Sequence, residues 1–405
     1  MNKLLITVFL IFGLISNLLA QLSYYAPYGF GLRCHQEPVR MIGMGYAGGA
    51  VADSMSLNTE NPALWQGFLS TSMQGQISNT LLRLPDTGFE SGSALFTGFA
   101  FKFPVGRRIG VALGLRPLAR MSAEKSFEDS VQLSPDVIYN SIVKLHGGIS
   151  EFFIGSGFRL NPQTSLGLRF QFLFGTYVKD IETTLTGGTA MSSYFSQTTA
   201  INGTLLTLGY WTTLTQHRLN LGLTLEQRLG CRYYTQYDYY HGPDSATAYR
   251  SIPYPIKVNF ALSKAFQYGL ALNADFGYHI VDAKLFEKFA LLKPVAAQSG
   301  ISLRFGLEKS PVRTFAEKFY QRLFYRIGGF YRTEPFYSGN VSVSEVGVTA
   351  GLGIPFFHDL NRLDFALTYS QRQGFLDDVY GPEHSLTFQV GFTSGEPWFI
   401  RYKKR

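Results

Sequence analysis

From Thr164 to Val178 the chain alternates strictly. Leu166, Leu168, Phe170, Phe172 and Phe174 fall on one side of an extended strand, with Ser165, Gly167, Arg169, Gln171 and Gly175 on the other. The same period of two returns in Leu219, Leu221, Leu223 and Leu225, in Ile301, Leu303, Phe305 and Leu307, and in Leu363, Phe365, Leu367 and Tyr369. Fourteen such segments are read, near 68–79, 92–103, 108–117, 147–160, 164–178, 201–214, 217–228, 254–264, 267–278, 298–308, 322–332, 341–355, 361–370 and 383–392. The connections 104–107, 161–163, 215–216 and 265–266 are tight, whereas 117–146, 179–200, 229–253 and 279–297 are long and predict outer loops. The 309–321 connection breaks this rule, and Ser310 with Pro311 predicts a capped one-sided helix there.

A soluble sandwich shows the same alternation with its apolar face turned inward, so the period alone leaves the environment open. The face opposite the apolar stripe decides it. That face carries Arg159, Arg169, Glu226, Arg304, Glu308, Arg326, Glu345, Arg362 and Asp364, a set that would be costly to bury in a soluble core and cheap to place along a wet lumen. The even strand count, the strand lengths and the short–long rhythm of connections predict an all-β fold, a 14-stranded antiparallel transmembrane β-barrel. Only 16% of residues are charged and 15% are aromatic, which fits a surface covered by lipid.

Ahead of the strands, Lys3 and the apolar run 4–19 ending at Ala20 read as a secretory signal peptide, with cleavage expected after Ala20 although Leu18 is bulky for its position. Residues 21–66 then form an N-terminal plug, 67–393 the barrel and 394–405 a basic periplasmic tail, in a protein of the bacterial outer membrane. Setting aside Lys3 and four tail cations, 31 basic face 28 acidic residues, which is no footprint for nucleic acid. The two cysteines, Cys34 and Cys231, are too few for a disulfide framework, and whether they pair stays open.

Candidate chemistry is sparse. The run Gly43-Met44-Gly45-Tyr46-Ala47-Gly48 spells a dinucleotide-binding pattern, but no strand precedes it and no βαβ unit follows. The seven histidines are dispersed without ligand spacing, and no nucleophile or metalloprotease motif appears, so neither an enzyme nor a cofactor or metal site is expected. Asp377-Asp378 fall in an outer connection, where solvation or ion binding accounts for them.

The glycine-rich turn, Ala50-Val51-Ala52-Asp53-Ser54 and Asn61-Pro62-Ala63-Leu64 together resemble the hatch of the FadL/TodX-type outer-membrane transporters of hydrophobic compounds. The resemblance implies a fourteen-stranded barrel with a hatch made by Gly43, Gly45, Gly48, Asn61, Pro62 and Ala63. It also implies passive uptake of long-chain fatty acids or other hydrophobic compounds, released through a gap in the wall. Glycines suit a compact backbone inside a barrel. The same residues would equally make an immobile plug. Tyr233 and Tyr237, in the tyrosine-rich loop read at 231–254, and Phe286 and Phe289, on a helical stripe, could receive such a ligand or form an aromatic girdle and loop packing. Arg169 and Arg304 could hold a carboxylate head group or pair with Glu226 or Glu308. Expected partners are outer-membrane lipid and lipopolysaccharide, the hydrophobic ligand, and the barrel-assembly machinery during biogenesis. The tail from Trp398 to Arg405 could dock a periplasmic or outer-membrane protein, which keeps open a second role as subunit or shuttle of an assembly or secretion complex.

Overall fold

The computed structural model describes residues 23–396 apart from 35, 54, 67–69, 87, 107, 132–133, 187–191, 240–242, 253, 283–295, 312–317, 339–340 and 357–360, with the side chains of 125, 127–131, 134–139 and 186 also left aside. Its long strands are β1 (Thr71–Leu84), β2 (Phe89–Pro104), β3 (Ile109–Val131), β4 (Ser134–Asn161) and β5 (Thr164–Thr186). They continue with β6 (Ser192–Leu214), β7 (Leu219–Tyr239), β8 (Ile256–Ala265), β9 (Leu270–Ile280) and β10 (Gly300–Lys309). The last are β11 (Phe324–Ser338), β12 (Val341–Phe356), β13 (Asn361–Gln373) and β14 (Glu383–Glu396). Each pairs antiparallel with its sequence neighbour, and β14 returns to β1 from His384↔Arg83 to Glu396↔Thr71, closing a fourteen-stranded barrel. Closure satisfies the backbone groups that an open edge would leave bare in lipid. No helix among the described residues is long and apolar enough to cross a membrane.

Side-chain alternation sets the two faces. Along β5 the five apolar residues of the opening stripe are exposed, while Ser165, Arg169 and Gln171 are buried on the inner side. The apolar stripe ends at Phe174, yet β5 continues to Thr186, and β3, β4, β6 and β7 extend with it. The connections read as long outer loops at 117–146, 179–200 and 229–253 are thus mostly strand among the described residues. The ladder runs on through pairs such as Lys144↔Asp180 and Thr184↔Ser192. Above the lipid neither face must be apolar, so the period of two fades while backbone pairing continues; this hid the extensions from a reading based on hydrophobicity. Tyr233 and Tyr237 accordingly lie on β7 and not in a loop.

On the opposite end the connections between β4 and β5, β6 and β7, and β8 and β9 are tight, the last two with Arg218 and Tyr268 at φ of +50° and +59°. Short turns mark the periplasmic side of such barrels. Between β10 and β11 the described part holds a short 3₁₀ turn, Phe319–Arg322, and the core of the helix expected there lies outside the described residues.

Residues 23–66 lie inside the ring. Gly43 approaches β12, where an added methyl would stand 2.9 Å from the Gly351 Cα, while Gly49 and Asn61 press on Gly222 of β7. Contacts to opposite walls of one closed ring place the segment in the lumen. It begins at the outer end, where Ser23 donates to Glu383 (2.7 Å) and Tyr25 to Asp377 (3.0 Å), and descends to Gln66, which accepts from Arg159 (2.6 Å) near the β4–β5 turn.

Candidate functional site

The lower part of the lumen is built around residues 43–66. Asn61 caps the 3₁₀ turn Pro62–Trp65: its Oδ1 accepts from Ala63 N at 3.0 Å, and its Nδ2 donates to Gly49 O (3.1 Å) and Tyr210 O (3.0 Å). One side chain therefore ties the turn, the glycine stretch and wall strand β6. Asp275 on β9 accepts from the Gly48 and Gly49 amides at 3.1 and 2.9 Å, satisfying donors that the turn leaves unpaired. Gly45 takes φ +64°, and a methyl there would stand 2.5 Å from Gly329 of β11, so only glycine fits. Trp65 is fully buried and packs on Phe153 at 5.9 Å between ring centroids, donating its indole N–H to Asn58 O at 2.5 Å.

Charge on the inner wall is not solvated, contrary to the wet lumen expected from sequence. Arg169, Glu308, Arg326, Glu345, Arg362 and Asp364 are all buried, because the N-terminal segment covers them and supplies counter-charges. Four of these groups close a six-membered ring with Arg40 and Asp53 of the segment. Arg40 pairs with Glu308 (2.6 Å), Glu308 with Arg326 (2.7 Å), Arg326 with Asp364 (2.6 Å), Asp364 with Arg362 (2.7 Å), Arg362 with Asp53 (2.8 Å), and Asp53 with Arg40 (2.9 Å). Three guanidiniums alternate with three carboxylates, two members coming from the segment and four from β10, β11 and β13. Burial pushes the Asp53 carboxyl up, but Arg362 and Arg40 outweigh it and hold the group well below the ordinary carboxylate range.

The remaining wall cations are also engaged. Arg304 pairs with Glu60 at 2.6 Å rather than with Glu226 or Glu308, and Arg169 donates to Thr59 O, Thr207 (3.2 Å) and Glu226 (3.5 Å). Lys257 takes the other Glu226 oxygen at 2.8 Å.

Higher up, the inner surface changes character. Leu118, Leu145, Ile149, Leu173, Ile201, Leu205 and Phe336 form an apolar cluster capped by Tyr25, Tyr28 and Phe30 of the segment. Beside it the wall is unzipped. The β2–β3 ladder runs only from Pro104↔Gly110 to Phe99↔Leu115, while β2 continues on β1 to Phe89 and β3 continues on β4 to Val131. Both strands carry a bulge at the parting, with Thr97 skipped on β2 and Leu118 on β3. Pro117 has no N–H to offer a ladder. Phe96 and Leu81 above the parting still expose apolar side chains outward, so the gap opens at lipid height.

Behind the gap stretches a strap made by residues 32–34 and 36–37. Leu32 and Arg33 pair with Arg120 and Ala119 of β3, Cys34 N donates to Leu118 O (3.0 Å), and Gln36 Nε2 donates to Pro117 O (2.9 Å). From the other side Gln76 of β1 donates to Glu37 O at 3.2 Å. An amphipathic chamber lies against this strap, its apolar part made by Phe30, Leu118, Ile149 and Phe336 and its polar end by Arg33, Lys257, His279 and Arg332.

The residues singled out from sequence are dispersed through this arrangement. Gly43, Gly45, Gly48, Asn61, Pro62 and Ala63 lie in the lower lumen, and Arg169 and Arg304 lie against them. Tyr233 sits in the upper apolar cluster and Tyr237 stacks on Phe195 at 6.2 Å, so the two do not converge on one pocket. Phe286 and Phe289, the signal segment and the tail from Trp398 to Arg405 lie outside the described residues. Cys34 and Cys231 are unpaired and buried. Sequence reasoning missed Arg33, Arg40 and Glu60, and it named Asp53 only within the motif run, without a role. Their signal was present: three of these four charges interrupt or flank a glycine-rich apolar stretch that must be buried, and the wall offers the opposite charges.

A family model matches the chain over residues 1–404, and it is that of BamG. The chain belongs to the BamG family. Among solved structures this BamG-family chain is similar to a FadL homologue of Pseudomonas aeruginosa, at 13% identity over 90% of this chain and 99% of that one, with a TM-score of 0.60. It is similar too to the toluene transporter TbuX of Ralstonia pickettii (13% identity, 91% and 100% covered, TM-score 0.56) and to the toluene transporter TodX of P. putida (13% identity, 90% and 99% covered, TM-score 0.51). At such identity the likeness is one of fold, the FadL/TodX-type barrel of the bacterial outer membrane. No curated protein matches the chain.

Proposed function

We propose that this BamG-family barrel conducts hydrophobic compounds, long-chain fatty acids among them, between the upper lumen and the membrane through the parting of β2 and β3. The observation that carries this reading is the unzipped ladder at lipid height, backed by a hydrogen-bonded strap and facing an apolar inner surface. A purely structural barrel has no use for such a parting, since an unpaired edge in lipid leaves backbone groups unsatisfied. In this reading the signal peptide is removed after Ala20 and residues 21–66 act as a hatch. The locked ion-pair ring holds the lower lumen closed while the strap yields at the wall. The test is a disulfide across the bridge, Leu32→Cys with Arg120→Cys in a Cys34→Ser, Cys231→Ser background. Uptake of a labelled fatty acid should stop in the oxidised protein and return on reduction; equal uptake in both states overturns the reading.

Membership of the BamG family favours a second reading, a FadL-like barrel serving as subunit of an outer-membrane assembly complex. It predicts a stable complex in mild detergent that is lost on removal of residues 398–405, and a lone monomer on native gels would sink it.

A further inference from the structure

From the chamber behind the wall gap we infer that the protein binds a single-chain amphiphile with an anionic head, the head held by Arg33 and the tail directed past Leu118 toward the gap. The inference rests on the conduit reading and specifies its ligand. Arg33 lines the amphipathic chamber and both polar cavities beside it, with His279 the other residue shared by all three. Of the carboxylates that line the two polar cavities with it, Glu226 pairs with Lys257 and Arg169, Glu60 pairs with Arg304, and Glu37 accepts from Gln36 N at 3.0 Å. Among the described residues none of these pairs with Arg33, and Glu334 is the one carboxylate in the chamber lining, against Arg33, Lys257, Arg332 and His279. The other guanidiniums that line these three cavities, Arg116, Arg169, Arg304 and Arg332, each have an acid at ion-pair distance, so Arg33 is where an incoming anion finds a donor fork without displacing a partner.

The apolar part starts one residue away in space. Arg33 pairs in register with Ala119, and Leu118, the bulged residue beside it, turns into the apolar cluster with Ile149 and Phe336. A head on Arg33 thus sets a chain along Leu118, at the level where β3 has left β2. The chamber holds about 90 Å³, room for a head group and the first methylenes. An uncharged hydrocarbon would leave the basic end facing an apolar molecule and gains nothing there.

The experiment uses the full chain purified in a non-ionic detergent, with palmitate, hexadecyl phosphate and hexadecanol as probes of equal chain length. At least one anion is expected to bind about tenfold more tightly than the alcohol, the scale of one charge-assisted contact, and the tighter of the two anions identifies the head. Arg33→Gln should lower that anion to the alcohol's level, and Arg33→Lys should retain most of the preference. Since Arg33 has no ion pair to lose among the described residues, the Gln variant should keep the heat-modifiable gel mobility of a folded barrel. Equal binding of anion and alcohol, or an Arg33→Gln variant that binds the anion unchanged, overturns the head assignment and leaves the conduit to the disulfide test. Binding of none of the three probes overturns the chamber as a ligand site.

Discussion

Removing one member of a buried charge ring strands its neighbours. Arg326 touches both Glu308 and Asp364, so Arg326→Met should leave two buried carboxylates short of a partner and cost about 3–5 kcal/mol. Denaturant unfolding in detergent micelles reads this directly. A charge-conserving Arg326→Lys should recover only part, because an ammonium cannot span both acids as a fork does. Asp53 supplies a pH test. Its folded value lies below that of the unfolded carboxyl, about 3.9, so its contribution is fully present above that value and is lost as pH falls through the folded one. Protease protection of residues 23–66 should therefore hold at pH 5 and weaken only below about pH 4. Burial also pushes the Cys34 thiol up to about 12, with Arg120 opposing, so maleimide at neutral pH should label it only after unfolding.

At the scale of elements, the 3₁₀ turn Pro62–Trp65 decides how the segment seats. Trp65→Ala empties a site between Leu57, Ala100, Ala112 and Phe153 and should cost about 3–5 kcal/mol of segment docking, read as faster proteolysis of residues 23–66. The barrel strands should stay protected, since their ladder does not depend on that contact. The extended strands make a separate forecast: amides of 179–184 and 192–200 should exchange slowly, as ladder residues do, although they were read as loop from sequence. Slow exchange separates the two descriptions cleanly.

The molecule as a whole is a filled ring. The segment contributes Arg40, Asp53 and Glu60 to ion pairs with the wall and seals the lower lumen. Deleting residues 23–66 should leave a barrel that still closes β14 on β1 but has a hydrated bore. Planar bilayers should then show stepwise conductance absent from the intact protein. Intact protein that conducts equally would mean that the segment does not fill the pore in the membrane.

Residues and neighbours were legible where the physics is local. Lipid contact imposes an apolar side chain at every second position, so all fourteen strands were located from the pattern, most within a few residues at the periplasmic end, and a closed barrel follows from the need to satisfy every backbone group in lipid. The inward face was read correctly as charged, but its surroundings were not. Arg40 meets Glu308 across 268 positions of sequence and Arg362 meets Asp53 across 309, and no local pattern records such a pairing. The upper strand extensions escaped because water on both faces removes the alternation while hydrogen bonds persist. The resemblance implied a wall gap, but its place escaped: Pro117 hints that a ladder ends, and only the closed sheet shows which neighbour β3 leaves and that Leu32 and Arg33 lie behind the parting. Sequence by itself determined the strands, their faces and the resemblance to FadL/TodX-type barrels; the folded ring alone decided which charges are buried together and where the wall is open, because those depend on closure and not on spacing.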